Sequence, residues 1–357
     1  MTSRRHFLGT FLAAAALPRL GWADAGSPAF LAAAQEPDGT HALFGLTAEG
    51  ADLFRVPLPA RGHAAAAHPE APEAVAFARR PGTYALVLNC ATGAVTARLA
   101  AAPGREFNGH GAYSMDGAVL YTSEVEAATG EGRIALWSRP DGYRRIGEIA
   151  SGGIGPHEIR RLPGSEVLAV ANGGIRTGPG DREKLNLDTM APNLTYLSPD
   201  GRVEDRMRLG PDLHRASIRH LAIDALGTVA FAMQWEGAED EAPALLGFHR
   251  LNGGAPRLAR APDDLHRAMQ GYAGSIAVFD AGRQVAISSP KGGRVQVFGS
   301  DGRFEREILR ADVCGIAAAG ARLVMTDGFG AFVVTEDGRP VAHTRAPRAW
   351  DNHIVAL

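Results

Sequence analysis

The chain has 357 residues, 45% of them hydrophobic and 21% charged, with a formal net charge of −2. That balance suffices to bury a core, and it excludes wholesale disorder and a globally basic nucleic-acid binder. Many glycines and prolines (44 and 22) with only 7% aromatics favour short elements and frequent turns over a helical bundle.

In chain order, the first expected element is an export segment. Ser3-Arg4-Arg5-His6-Phe7-Leu8 is a twin-arginine pattern, followed by the apolar stretch Phe11 to Leu17 and the small-residue site Ala23-Asp24-Ala25. Cleavage after Ala25 is expected. The apolar stretch is far shorter than the ~20 residues that span a bilayer, and no later segment is long enough, so no membrane span is expected after cleavage. The twin-arginine route carries folded proteins, which implies a periplasmic location. Removal of residues 1–25 leaves a single domain, 26–357, with a net charge of −4. Its two cysteines, Cys90 and Cys314, do not make a disulfide framework, although an oxidising compartment permits a bond.

Short β-like runs with turns between them then recur in groups of four. The first group is Gly62–Ala67, Ala74–Ala78, Tyr84–Asn89 and Val95–Leu99; the second is Gly109–Ser114, Val119–Val125, Arg133–Ser138 and Arg145–Ile149. Further groups open at Pro156, Ile218, Gly274 and Val313. One strand, Asn352–Leu357, is left at the C-terminus and three, Ala29–Ala33, His41–Leu46 and Leu53–Leu58, near the mature N-terminus. One plus three completes a seventh unit. The expected fold is therefore an all-β seven-bladed β-propeller, closed by the C-terminal strand joining three N-terminal strands, which leaves no open edge. A two-domain β-sandwich would not explain the one-plus-three closure.

Alignment of the first strand of each unit puts His63, His110, His157, His220, Ser275, Cys314 and His353 in one register. First strands line the channel of a propeller, so these side chains are expected to face one another. Neutral imidazoles suit Fe, Cu and Zn, and a thiolate would add a soft ligand. Histidines that bridge strands by ordinary hydrogen bonds are the plain alternative. Glu124, Asn172, Gln234, Lys291 and Asp327, at or just after second strands, together with Glu158 and Arg219, are candidate channel-mouth groups, as is Ser275. The plain alternative for each is turn chemistry. The stretch Gly173–Pro192, carrying Lys184, Asn186 and Asp188, is long enough to be a lid. No His-Glu-x-x-His helix, P-loop, Gly-x-Ser-x-Gly elbow or Cys-x-x-Cys pair is present.

Several runs, among them Gly153-Ile154-Gly155-Pro156-His157-Glu158, Lys184-Leu185-Asn186-Leu187-Asp188-Thr189-Met190, Ser288-Ser289-Pro290-Lys291-Gly292-Gly293 and Trp350-Asp351-Asn352-His353, resemble a bacterial family of exported propellers, domain-of-unknown-function family 1513. The resemblance spans nearly the whole mature chain. It implies twin-arginine export and a periplasmic protein encoded near imelysin-like iron-uptake lipoproteins and di-haem oxidoreductases. Those neighbours suggest iron or copper handling, with periplasmic iron-uptake or redox proteins as partners and no nucleic acid. The architecture is more distantly similar to propeller lactonases and to the propeller of nitrous oxide reductase, whose channel histidines hold copper. The resulting expectation is a binding or accessory protein in metal acquisition with a His-rich channel site. The alternatives are a lactonase-like metal-dependent hydrolase and a protein-interaction scaffold.

Overall fold

The computed structural model describes residues 20–79, 82 and 84–357. The twin-arginine pattern and the apolar stretch, which fall within residues 1–19, lie outside the described residues. The rest of the expected export segment contains a 3-10 turn, Trp22–Ala25. Its Trp22 indole N–H donates to the His68 carbonyl at 3.1 Å, and Ala25 is buried among the apolar side chains of the neighbouring sheets.

Seven four-stranded antiparallel sheets follow one another. The innermost strands of the first six are Gly62–Ala67, Arg105–Tyr113, Pro156–Arg161, Ala216–Ile223, Ser275–Phe279 and Val313–Ala319. In the seventh, Ala349–Ala356 pairs with Phe30–Gln35, which continues into His41–Leu46 and Asp52–Leu58. Each innermost strand packs on the next, and the last packs on the first. The molecule is a seven-bladed β-propeller, with almost no helix among the described residues.

Strands such as Gln284–Ser289 and Arg294–Gly299 carry β-branched and aromatic residues at central positions, whereas Gly62–Ala67 and Phe30–Gln35 are rich in alanine. Both faces of every blade are covered, so apolar residues occur at odd and even positions alike. In the first blade Ala74, Ala76 and Ala78 pack against the seventh, whereas Val75 and Phe77 pack against the second. Each of the seven blade interfaces holds one such apolar cluster. The outermost strands are largely exposed, as in Ala94–Leu99.

The observed bounds differ from the sequence reading mainly at strands near the channel. The second innermost strand starts at Arg105 rather than Gly109. Gly109, at φ +89°, interrupts the alternation there, so the pattern becomes regular only beyond it. The fourth strand of that blade runs on to Ile154 and delivers the chain to the next innermost strand.

Candidate metal centre in the central channel

Six of the seven innermost strands carry a register shift at the shared position. The shifts fall between Gly62 and Ala65, Phe107 and Gly111, Pro156 and Ile159, Ile218 and His220, Val313 and Ile316, and on the last strand next to Ala32 and Ala34 of its partner. Only the strand with Ser275 pairs without a shift. Such bulges re-aim side chains, and here they turn consecutive residues toward the axis. The carbonyls they release accept from hydroxyls: Ser123 donates to His110 O at 3.1 Å, Ser288 to Cys314 O at 2.7 Å and Thr326 to Gly315 O at 3.2 Å. Gly109 allows close approach as well, because a Cβ there would sit 2.6 Å from His63 Cδ2.

The five histidines converge. Ring centroids are 4.6 Å apart for His63 and His353, 4.6 Å for His110 and His157, 4.8 Å for His157 and His220, and 4.7 Å for His220 and His353. His63, His110 and His353 bring one ring nitrogen each within 4.8 Å of one another, as do His110, His157 and His220. His63 Nε2 and His110 Nε2 are 3.2 Å apart. Two neutral imidazoles can share one N–H at that distance, but it is also close to the ~3.3 Å edge of a tetrahedral site with metal–nitrogen bonds of about 2.0–2.1 Å. Among the described residues, His63 Nδ1, His157 Nδ1, His220 Nδ1 and His353 Nε2 are buried without a hydrogen-bond partner. Each such atom costs about 1–3 kcal/mol unless something satisfies it.

Electrostatics favours lone pairs over protons. Burial, reinforced by the neighbouring imidazoles, holds His63, His157 and His353 well below the ordinary 6.5. Burial takes His110 down to about 3, against the upward pull of Glu158. His220 is lowered by burial, with Glu158, whose Oε2 lies 3.4 Å from His220 Nδ1, opposing. Burial raises the Glu158 carboxyl, but Arg160 (2.6 Å) and the imidazoles outweigh it and hold it well below its usual range. The Leu221 amide also donates to Glu158 Oε2 at 3.0 Å.

The ring divides the channel. On one side a cavity of about 250 Å³ is bordered by His110, His220, His353, Glu158, Arg160 and Ser275. On the other, about 90 Å³ is bordered by His63, His157, Asn108, Arg79, Arg182 and Arg219. This second space adjoins a wider one of about 490 Å³ that shares Arg79, Tyr272 and Asn352 with it.

The remaining sequence candidates divide by position. Ser275 stays in the ring register, where its Oγ accepts from the Ile316 amide at 3.3 Å. Arg219 and Gln234 border the narrow cavity, and Lys291 borders the wide one, 5.1 Å above the Tyr272 ring. Cys314 also borders the wide cavity rather than joining the histidines. Its bulge turns the thiol toward the Asp312 carbonyl, 3.1 Å away, and burial next to Asp312 and Asp351 pushes it up to about 12, so it is protonated. Cys90, buried between the first and seventh blades, is likewise a free thiol.

Three candidates lie inside blades instead. Glu124 is fully buried and held by both guanidinium nitrogens of Arg145 at 2.8 and 2.9 Å. Asn172 bonds Ser151, Asn193 and Thr195. Asp327 accepts from the Phe329 and Ala331 amides at 2.9 Å and pairs with Arg310 at 2.5 Å. The stretch Gly173–Pro192 crosses from the third blade to both neighbours. Lys184 pairs with Glu236, Asp188 with Arg215, and the Gly180 amide donates to Glu106 at 2.8 Å. Asn186 braces it internally, accepting from the Arg176 amide at 2.7 Å and donating to Gly174 O at 2.9 Å.

Sequence reasoning passed over Asn108, Arg79 and Tyr272. Asn108 could have been found as the partner that a bulge places beside a channel histidine. Arg79 and Tyr272 share no repeat position and carried no signal.

Fold and site together define a seven-bladed propeller with a histidine-lined channel. Residues 56–357 match the family described as protein of unknown function (DUF1513), and the chain belongs to that family. No curated protein matches it. Among solved structures, the fold is similar to Kuenenia stuttgartiensis hydrazine synthase (TM-score 0.63, 12% identity, covering 89% of this chain and 95% of that one). It is also similar to a streptogramin B lyase (TM-score 0.58, 12% identity, covering 80% and 83%).

Proposed function

We propose that this protein is a metal-binding propeller of the periplasm, in which His63, His110, His157, His220 and His353 hold a transition-metal ion and the protein serves its acquisition or handling. The observation that carries this reading is the pair of three-histidine groups sharing His110. The unpartnered ring nitrogens beside it are buried donors that call for a ligand. All five donors are neutral imidazoles, which suit iron, copper and zinc, and Cys314 is not counted among them. The twin-arginine segment supports acquisition of the ion before export, and iron-uptake or redox proteins of the same compartment are the partners this role implies.

The test starts from metal-free protein titrated with Fe, Cu and Zn and followed by calorimetry and elemental analysis. Wild type is expected to take up metal stoichiometrically, and His110→Ala, which removes the shared donor, to lose at least tenfold in affinity (about 1.4 kcal/mol or more). Absence of stoichiometric uptake by wild type overturns the reading.

Glu158 beside the ring favours a second reading, a lactonase-like hydrolase using a metal-bound water. It predicts turnover of small lactones that is lost on chelation and in Glu158→Gln. Turnover indifferent to both would remove that mechanism. The likeness to a lyase in fold alone leaves the reaction open.

A further inference from the structure

Beyond the histidines, the channel mouth on the His63 and His157 side concentrates positive charge. Arg79, Arg182 and Arg219 border the narrow cavity together. Among the described residues none of the three forms an ion pair, although twenty-one arginine or lysine pairs occur elsewhere, from Arg55–Glu36 to Arg348–Asp52. Arg219 Nε is buried without a partner. Arg61, joined to Asp351 at 2.6 Å, and Lys291 extend the charge into the adjoining wide cavity. Among the described residues, Asp312 and Asp351 are the only carboxylates bordering that space. Asn108, Gln234, Tyr272 and Asn352 add neutral hydrogen-bonding groups at the narrow end.

Guanidinium groups in a partly enclosed space repel one another and lose hydration, a cost normally offset by a carboxylate or phosphate partner. Among the described residues no carboxylate borders the narrow cavity; Glu236 and Asp351 act on Arg219 and Arg79 only from outside it. Arg182 reaches it from the stretch Gly173–Pro192, which is tied to the second and fourth blades through Glu106 and Glu236. The three arginines come from different blades or loops, so the charge does not follow from any repeat position.

We infer that this mouth binds a small anion bearing more than one carboxylate, with one carboxylate seated among Arg79, Arg182 and Arg219 and the rest of the molecule extending past Arg61 and Lys291. A volume of about 90 Å³ at the arginines suits a single carboxylate group, for which planar guanidiniums are matched donors. The adjoining cavity of about 490 Å³, with cations at Arg61 and Lys291, suits a second or third. The inference stands without a metal at the histidines, because the arginines need an anion whether or not the ring is loaded.

Metal-free full-length protein titrated calorimetrically with citrate, succinate, acetate and inorganic phosphate tests it. Citrate or succinate is expected to bind at least tenfold more tightly than acetate. Affinity should fall as ionic strength rises. Arg182→Gln, on an exposed loop, and Arg219→Gln should each weaken binding about tenfold, the effect of losing one charge-assisted contact, while Arg283→Gln, in the exposed turn between the two inner strands of the fifth blade and outside both cavities, leaves it unchanged. Thermal melts establish that the variants are folded. His110→Ala should retain anion binding, so a failed metal titration and a failed anion titration remain separate results. No saturable binding of either polycarboxylate, wild-type affinity in both mouth variants, or binding of phosphate alone would overturn the inference.

Discussion

A buried imidazole that stays neutral keeps a lone pair for a metal, and acid is what takes it away. In the unfolded chain these histidines take up protons near the ordinary 6.5, whereas in the fold His110 does so only near 3. Between those values the unfolded state binds more protons, so the folded state loses stability as pH falls through that window; above about pH 7 the contribution is fully present. Metal-free protein is expected to lose on the order of 1–2 kcal/mol at His110 by about pH 5, with a loss of the same sign at the other ring histidines, which are also held below 6.5. Denaturant melts across that range measure it, and a variant with His110 and His157 both changed to Ala should give a shallower profile. An equally steep profile in that variant would place the acid sensitivity outside the ring. At the same scale, the sequence located all five histidines, because one position recurs in each blade. It did not reveal that Cys314, in the same register, turns toward the Asp312 carbonyl, since the direction of a bulged side chain depends on pairing with a distant strand.

At the scale of the element, the bulge does what a regular strand could not. Alternation would send neighbouring residues to opposite faces, yet Arg219 and His220 both border the narrow cavity. Gly109 is the position where this device is most constrained, since it combines φ +89° with close approach to the His63 ring. Gly109→Ala is expected to destabilise the fold by about 1–2 kcal/mol, the cost of a Cβ in that conformation, and to weaken metal uptake by displacing His63. Gly147→Ala, on an exposed stretch of the second blade where a new Cβ meets nothing, should stay within about 0.5 kcal/mol of wild type. Thermal unfolding and metal titration of the pair check this. The second strands explain why Glu124, Asn172 and Asp327 stood out in the sequence without reaching the channel. Their side chains enter blade interiors, where Arg145, Ser151 and Arg310 meet them.

At the scale of the molecule, the seventh blade is assembled from both ends of the chain. The strand Ala349–Ala356 supplies its innermost position, the final ring histidine and the partner of the edge beginning at Phe30. Truncation after Arg348 would expose that edge and the apolar faces of Phe30 and Ala32, and unpaired edges recruit other chains. The truncated protein is expected to lose its cooperative thermal transition and to associate, as read by calorimetry and light scattering. A monomeric, cooperatively folding product would mean that the other six blades stand without it.

The sequence by itself determined the number of blades, the turns between strands and the position at which five imidazoles recur. Those features repeat locally, and each unit must cover two apolar faces with the same short pattern. Only the tertiary structure decided which side chains point along the axis and which turn into a blade. The same is true of the meeting of Arg79, Arg182 and Arg219 at one mouth. Closing the ring brings together residues from a strand end, a long loop and a bulge, and no sequence interval encodes that proximity.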